Sequence, residues 1–280
     1  MGWLTLENAF KNCTKLTSVN IPVFNPNNLI FDCTSAWQGC TLLSSFLGVG
    51  LTSVTDCSSA WARCISLTSY DTIGLTNVTK CCSSWDMCTS LTSFSSINLG
   101  KVIDCSYAWD GCTSLITFDT SGFKVIDNCN GSWNSCTSLI NINTSGLKSV
   151  TNCASAWEEC TYLISIDTTN LVNAIDCEFT WSGCISLKSF STVHLRKLTI
   201  CHFTWSGCTS LTSFDTIGLT MVTSCNNAWL GCTSLKTFYT TGLAEVISCS
   251  SGWNRCTSLI SFNTIGLKKA RDCSIAWSSC

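Results

Sequence analysis

Cysteine accounts for 24 of the 280 residues, and its spacing invites disulfide, metal or thiolate chemistry. One column runs Cys33, Cys57, Cys81 and on to Cys273 at a constant step of 24; a second runs Cys40, Cys64, Cys88 to Cys280 at the same step. An even count at regular spacing is the arithmetic of a disulfide framework. On a helix, however, Cys57 and Cys64 would stand about 10 Å apart, beyond a bridge's reach. Metal chemistry lacks a C-x2-C knuckle, and the only imidazoles are His194 and His202, so no metal and no cofactor is expected. The plainest reading is a column of small buried thiols filling a core. Cys82 lies outside both columns and is expected to be the exposed thiol.

No catalytic constellation is expected either. Serine is abundant, but His194 falls at a turn and His202 at a variable position. The carboxylates Asp71, Asp119, Asp167 and Asp215 recur as a ladder instead of converging. Trp37, Trp61, Trp85 and their successors to Trp277 sit between the two cysteine columns and read as core. The chain is therefore not expected to be an enzyme.

The elements that carry these columns follow from the period. In a typical unit Cys57, Ala60, Trp61 and Cys64 fall at i, i+3, i+4 and i+7, one face of a helix of about two turns or of a shorter 3₁₀ turn. Leu67 to Thr72 is rich in β-formers and predicts a short strand; Leu75 and Val78 return the chain to the next unit. The position before Leu75 is Gly74, Asn98, Gly122, Gly146, Asn170, His194 or Gly218 in successive units, which predicts a positive-φ corner. One unit cannot enclose its own apolar face, so neighbours must stack. The expectation is an α/β solenoid, a right-handed stack of 24-residue coils with a short strand and a short helix or 3₁₀ turn in each. Residues 1–32 read as a degenerate first coil with an insertion, and 33–280 as eleven tandem repeats, the last incomplete. Helices are wider than strands, so the stack should curve with its strands on the concave side.

On that side the outward strand positions form two columns, the candidate binding surface. The first contains Ser69, Ser93, Thr117, Asn141, Ser165 and Ser213; the second Asp71, Ser95, Asp119, Asn143, Asp167, Asp215 and Tyr239. The surface is hydroxyl-rich and nearly neutral. With 11% charged residues, a net charge of −2 and no basic stripe, a nucleic-acid partner is not expected. No apolar run approaches the roughly 18 residues of a membrane span, and the first residues lack the pattern of a secretory leader.

Ala9, Phe10, Cys13, Leu16, Val19, Ile21 and Pro22 resemble the A-F-x-x-C-x-x-L-x-x-I-x-I-P unit of the BspA-like leucine-rich repeat surface proteins. Later coils, such as the one containing Cys88, Leu91 and Phe94, resemble the bacterial surface-protein variant of that repeat. The chain departs from the pattern in using Trp where the family has Phe, and Cys where it often has Met. The resemblance implies a leucine-rich-repeat solenoid and a role in surface attachment or protein interaction, with an extracellular or surface-associated location. It implies no enzyme activity and names no partner. The terminal coils lack polar caps: Trp3, Leu6, Phe10 and Cys13 at one end, and Ala276, Trp277 and Cys280 at the other, form a candidate end-to-end interface. The functional expectation is a structural or adhesive protein of a cell surface, appendage or virus-like particle, stacking head to tail into a filament or meeting a surface protein or glycan. The alternatives are an ice-binding solenoid with Thr/Ser ladders and a protein- or glycan-binding scaffold acting through the concave face.

Overall fold

The computed structural model describes residues 2–22 and 28–280; the stretch around Pro26, expected to absorb the extra residues of the first coil, lies outside them. The architecture is a solenoid of 24-residue coils stacked in parallel. Its strands are β1 (Gly2–Thr5), β2 (Ser18–Asn20), β3 (Asn28–Asp32), β4 (Ser45–Leu47), β5 (Ser93–Ser95), β6 (Thr117–Asp119), β7 (Asn141–Asn143), β8 (Ser213–Asp215), β9 (Thr237–Tyr239) and β10 (Ser261–Asn263). All pairings are parallel: β1 with β3, β2 with β4, then β5-β6-β7 and β8-β9-β10. A second ladder of single bridges, from Asp32↔Asp56 to Ser248↔Asp272, links every coil from Asp32 onward on another side.

The helix expected over Cys57–Cys64 is a run of tight turns instead. Alternate amides bond within the coil, Ala60 N–H to the Cys57 carbonyl at 2.9 Å and Cys64 to Trp61 at 3.0 Å. The amides between them bond to the next coil, Ser59 to Cys82 at 2.8 Å, Trp61 to Ser84 at 2.8 Å and Arg63 to Asp86 at 2.7 Å. Positive φ recurs at two positions of each coil, for example Ser59 (57°) and Arg63 (62°), each third in its turn. The cause is spacing. A helix is about 10 Å wide and uses its own amides, whereas parallel strands step by about 4.8 Å. Turns that donate every second amide forward keep pace with the strands. Where the strands pair, both sides of the coil are thereby hydrogen-bonded to their neighbours, and the wide helical layer expected to make the strand side concave is absent. Cys57, Ala60, Trp61 and Cys64 nonetheless all point inward and are buried. The first coil makes the same turn ladder, Asn8 to Thr34 at 3.0 Å and Phe10 to Ala36 at 2.7 Å.

The core is two aromatic columns. Tryptophans from Trp37 to Trp277 stack with centroids 5.2–5.9 Å apart and planes within 11°. Strand aromatics such as Phe94 and Phe118 (5.3 Å, 11°) stack alongside, and the two columns meet edge to face, as in Trp109–Phe118 (4.6 Å, 72°). Flat rings prefer plane separations of about 3.5–4 Å. A longer coil step therefore forces each column to tilt, and opposite tilts interlock as a herringbone. Every indole N–H from Trp37 to Trp277 is buried without a hydrogen-bond acceptor. Such an orphan costs about 1–3 kcal/mol, offset by the several ring pairs each indole makes at about 0.5–1.5 kcal/mol apiece.

The glycine column is not a positive-φ corner. A Cβ at Gly74, Gly122, Gly146, Gly218, Gly242 or Gly266 would sit 1.6–1.8 Å from a carbonyl oxygen of the preceding coil, so close approach is what demands glycine. Each strand pair from β4 onward has glycine here in its later coil: Gly50, Gly122, Gly146, Gly242 and Gly266. The coils with Asn98, Asn170 or His194 have no strand pairing to the coil before. Two glycine coils, those of Gly74 and Gly218, also lack it, each beside a step so opened.

Candidate functional site

The second cysteine column is a set of hydrogen-bond donors. Cys40 gives its S–H to the Phe10 carbonyl at 3.1 Å, and from Cys64 on each thiol gives its S–H to the carbonyl of the preceding coil's Trp, Cys64 to Trp37 at 3.2 Å, Cys136 to Trp109 at 3.2 Å and Cys232 to Trp205 at 3.1 Å among them. The first column packs sulfur near sulfur, with Cys153 and Cys177 in contact at 3.2 Å and Cys249 and Cys273 at 3.1 Å, and all thiols are free. Burial pushes the Cys57 and Cys64 thiols up to about 12, which keeps them protonated and unreactive. The exposed thiols are Cys13 and Cys280; Cys82, expected to be exposed, is half-buried. Among the described residues no group of three or more His, Cys, Asp or Glu is placed to hold a metal ion.

The strand face separates the two predicted columns by role. Ser69, Ser93, Thr117, Asn141, Ser165 and Ser213 are all exposed. Among the described residues their side chains make no hydrogen bond, so they are free to meet a partner. The second column is largely spent on the backbone. Asp71, Asp119, Asn143, Asp167 and Asp215 each accept the amide of the residue two further on, at 2.9–3.0 Å. Asn143 Nδ2 also donates to Asp119 at 2.8 Å. Partial burial pushes the Asp119 carboxyl up, but the Ser121 N–H and O–H and the Asn143 amide outweigh it and hold the group below the usual range. Ser95 and Tyr239 make no such bond, and Tyr239 presents its ring outward. Behind the face, a column of buried hydroxyls that sequence reading did not single out ties the coils. Thr120 Oγ1 donates to the Asn143 carbonyl at 2.6 Å and accepts the Gly146 N–H at 3.1 Å.

Of the candidate end residues, Phe10 is 38% exposed and lies parallel to Trp37 at 6.2 Å. At the other end Trp277 stacks on Trp253 at 5.7 Å, Ala276 is buried, and Cys280 donates to the Trp253 carbonyl at 3.0 Å. Leu6 packs against the core, Cys13 is exposed, and Trp3 lies on β1 with its side chain outside the described residues. These groups stand at opposite ends of the stack.

His202, at a variable position of the repeat, is held on both nitrogens. Its Nδ1 lies 2.9 Å from Glu178 Oε1 and its Nε2 2.7 Å from Ser224 Oγ. The three residues come from three successive coils. Their approach depends on the stacking register, and linear spacing gave no sign of it.

No family model matches the chain, and no curated protein matches it in sequence. Among solved structures the chain is similar to a leucine-rich repeat protein from Eubacterium ventriosum, at 14% identity over 90% of this chain and 74% of that one, with a TM-score of 0.51. A leucine-rich repeat protein from Bacteroides ovatus aligns over 98% of this chain and 79% of that one at 17% identity and a TM-score of 0.44. A leucine-rich cell surface protein from Faecalibacterium prausnitzii aligns over 93% and 82% at 15% identity, TM-score 0.41. The fold is thus that of a leucine-rich-repeat solenoid. No helix among the described residues is long and apolar enough to cross a membrane.

Proposed function

We propose that the chain is a structural and adhesive scaffold displayed on a cell surface or appendage, akin to the BspA-like surface proteins, and that it meets a protein or glycan through its strand face. The observation carrying this is the column Thr117, Asn141, Ser165, whose exposed side chains make no hydrogen bonds of their own; Thr117 and Asn141 stand on the paired strands β6 and β7, and all three coils are held together by the second ladder of bridges. A rigid array of unspent hydroxyl and amide groups is suited to recognition at low ordering cost. The cysteines, tryptophans and most face carboxylates already have structural partners. The test is attachment of beads coated with the purified chain to a panel of immobilised glycans and extracellular glycoproteins. The triple variant Thr117→Lys, Asn141→Lys, Ser165→Lys should lose the attachment, and equal attachment by both proteins would sink the reading.

The same scaffold would extend into filaments by stacking the coil of Leu6, Phe10 and Cys13 on that of Ala276, Trp277 and Cys280, since Phe10 and Trp277 each leave a ring face open to solvent. Electron microscopy at rising concentration checks this, and single particles at every concentration refute it. Ice binding has less support, because the strand columns mix Ser, Asn and Asp where regular Thr would be needed; a thermal-hysteresis measurement separates it from adhesion.

A further inference from the structure

One surface cluster goes beyond scaffolding. Glu178, His202 and Ser224 form a carboxylate–imidazole–hydroxyl relay with contacts of 2.9 and 2.7 Å. With Nδ1–H donated to the carboxylate, Nε2 is left as the acceptor for the serine hydroxyl, the tautomer that a general base requires. Both the histidine and the glutamate are partly open to solvent, at 30% and 38% side-chain exposure. The slot recurs around the solenoid, and only here does it hold an imidazole. One coil on, Ser248 Oγ contacts Asn226 Oδ1 at 2.7 Å, and four coils back Asn128 Nδ2 contacts Ser106 Oγ at 2.9 Å.

A second irregularity lies alongside. In the column Thr79, Ile103, Asp127, Thr151, Ile175, Thr223, Ile247 each amide bonds to the coil before, at 2.8–2.9 Å. Among the described residues of this column Thr199 alone lacks that bond. At this opening sits a pocket of about 220 Å³ lined by Ile175, Asp176, Glu178, Thr199 and Ile200. Ile175 and Ile200 give it apolar walls and Asp176 and Glu178 bring carboxylates to it, so it opens at the Glu178 end of the relay and neither His202 nor Ser224 lines it.

We propose that Ser224 is an activated nucleophile that accepts an acyl group from a small ester with a good leaving group, such as an aryl ester. Ser224 Oγ adds to the acyl carbon as its proton passes to His202 Nε2. The bond to the leaving oxygen then breaks, that oxygen takes the proton from the imidazolium, and the products are an acyl-serine and the free alcohol or phenol. Glu178 is a positioning residue that fixes the tautomer. The proposal is independent of adhesion, and either can fail alone.

The test is labelling of the full chain with a fluorophosphonate, in which Ser224 Oγ attacks phosphorus and fluoride departs, followed by peptide mass spectrometry. Ser224 should be labelled and Ser248, in the same slot without a histidine, should not. His202→Gly should slow labelling by about 100-fold or more, with added imidazole restoring part of the rate. Glu178→Gln should slow it with the melting temperature unchanged. Equal labelling of Ser224 and Ser248, no label on Ser224 in the unaltered chain, or a His202→Gly rate equal to the parent's would each overturn the assignment.

Discussion

Placing a methyl group on Gly146 is the sharpest perturbation of the coil-to-coil packing. A Cβ there would lie 1.8 Å from the Thr120 carbonyl oxygen, in backbone that cannot swing aside as a side chain can. Relief requires the two coils to part locally by roughly 1.2–1.5 Å, which is what a normal carbon–oxygen contact demands. The bonds nearest the methyl are Gly146 N–H to Thr120 Oγ1 (3.1 Å), Thr120 Oγ1 to the Asn143 carbonyl (2.6 Å) and Thr120 N–H to the same carbonyl (3.4 Å). At about 1 kcal/mol net for each bond, Gly146→Ala should cost about 2–3 kcal/mol, within the range for overpacking a tight interior. Gly146→Asn should cost less despite its size, because its amide can reach Thr120 Oγ1 as Asn98 reaches Thr72 and Asn170 reaches Thr144, both at 3.3 Å. Urea unfolding gives the magnitude. Hydrogen exchange localises the damage, with the Ile140 amide, bonded to Ile116 at 3.1 Å, losing protection in the Ala variant. A cost of about 1 kcal/mol or less, with Ile140 as protected as before, would refute the close-approach argument.

Other outcomes follow from the same structure. Cys136→Val removes one of the two donors on the Trp109 carbonyl and leaves only the Cys112 N–H at 3.2 Å, so it should be less stable than Cys136→Ser by about 0.5–1 kcal/mol in urea unfolding; equal or greater stability would return the column to being a plain apolar filler. Because the folded chain holds Cys57 and Cys64 up at about 12 while unfolded thiols titrate near 8.5, their stabilising contribution is complete below about pH 8.5. It is lost as pH climbs towards 12, and melting temperatures taken across that window should fall steeply. Asp110 is pushed up to about 6 by burial and then by the Asp86 carboxylate beside it, so its ionised form opposes folding. Asp110→Asn should raise the melting temperature at pH 7 and do little at pH 4, where the native carboxyl is already neutral. Ser155, held at a φ of 52°, should gain about 0.5–1 kcal/mol when replaced by Gly, read from the shift of the urea midpoint.

The period of 24 is a one-dimensional property, and it determined most of what matters here. Identical spacing of the Cys57, Trp61 and Cys64 columns, with a small residue at the Ala60 position, dictates which residues face inward, because any regular path must bury its continuous apolar columns. The strand columns from Ser69 and Asp71 onward followed by alternation. Tertiary structure decided the rest, through distances between coils that no single unit contains. Helical spacing of apolar residues is also the spacing of a turn run that donates every second amide to its neighbour, and only the strand step of about 4.8 Å chooses between them. Gly146 and its equivalents are indistinguishable in sequence from positive-φ glycines until the carbonyl of the preceding coil is in place. The split between a free column at Asn141 and a spent one at Asn143 depends on which side chain reaches an amide. The meeting of Glu178, His202 and Ser224 depends on register, since residues 24 and 22 positions apart in the chain become neighbours only when coils stack.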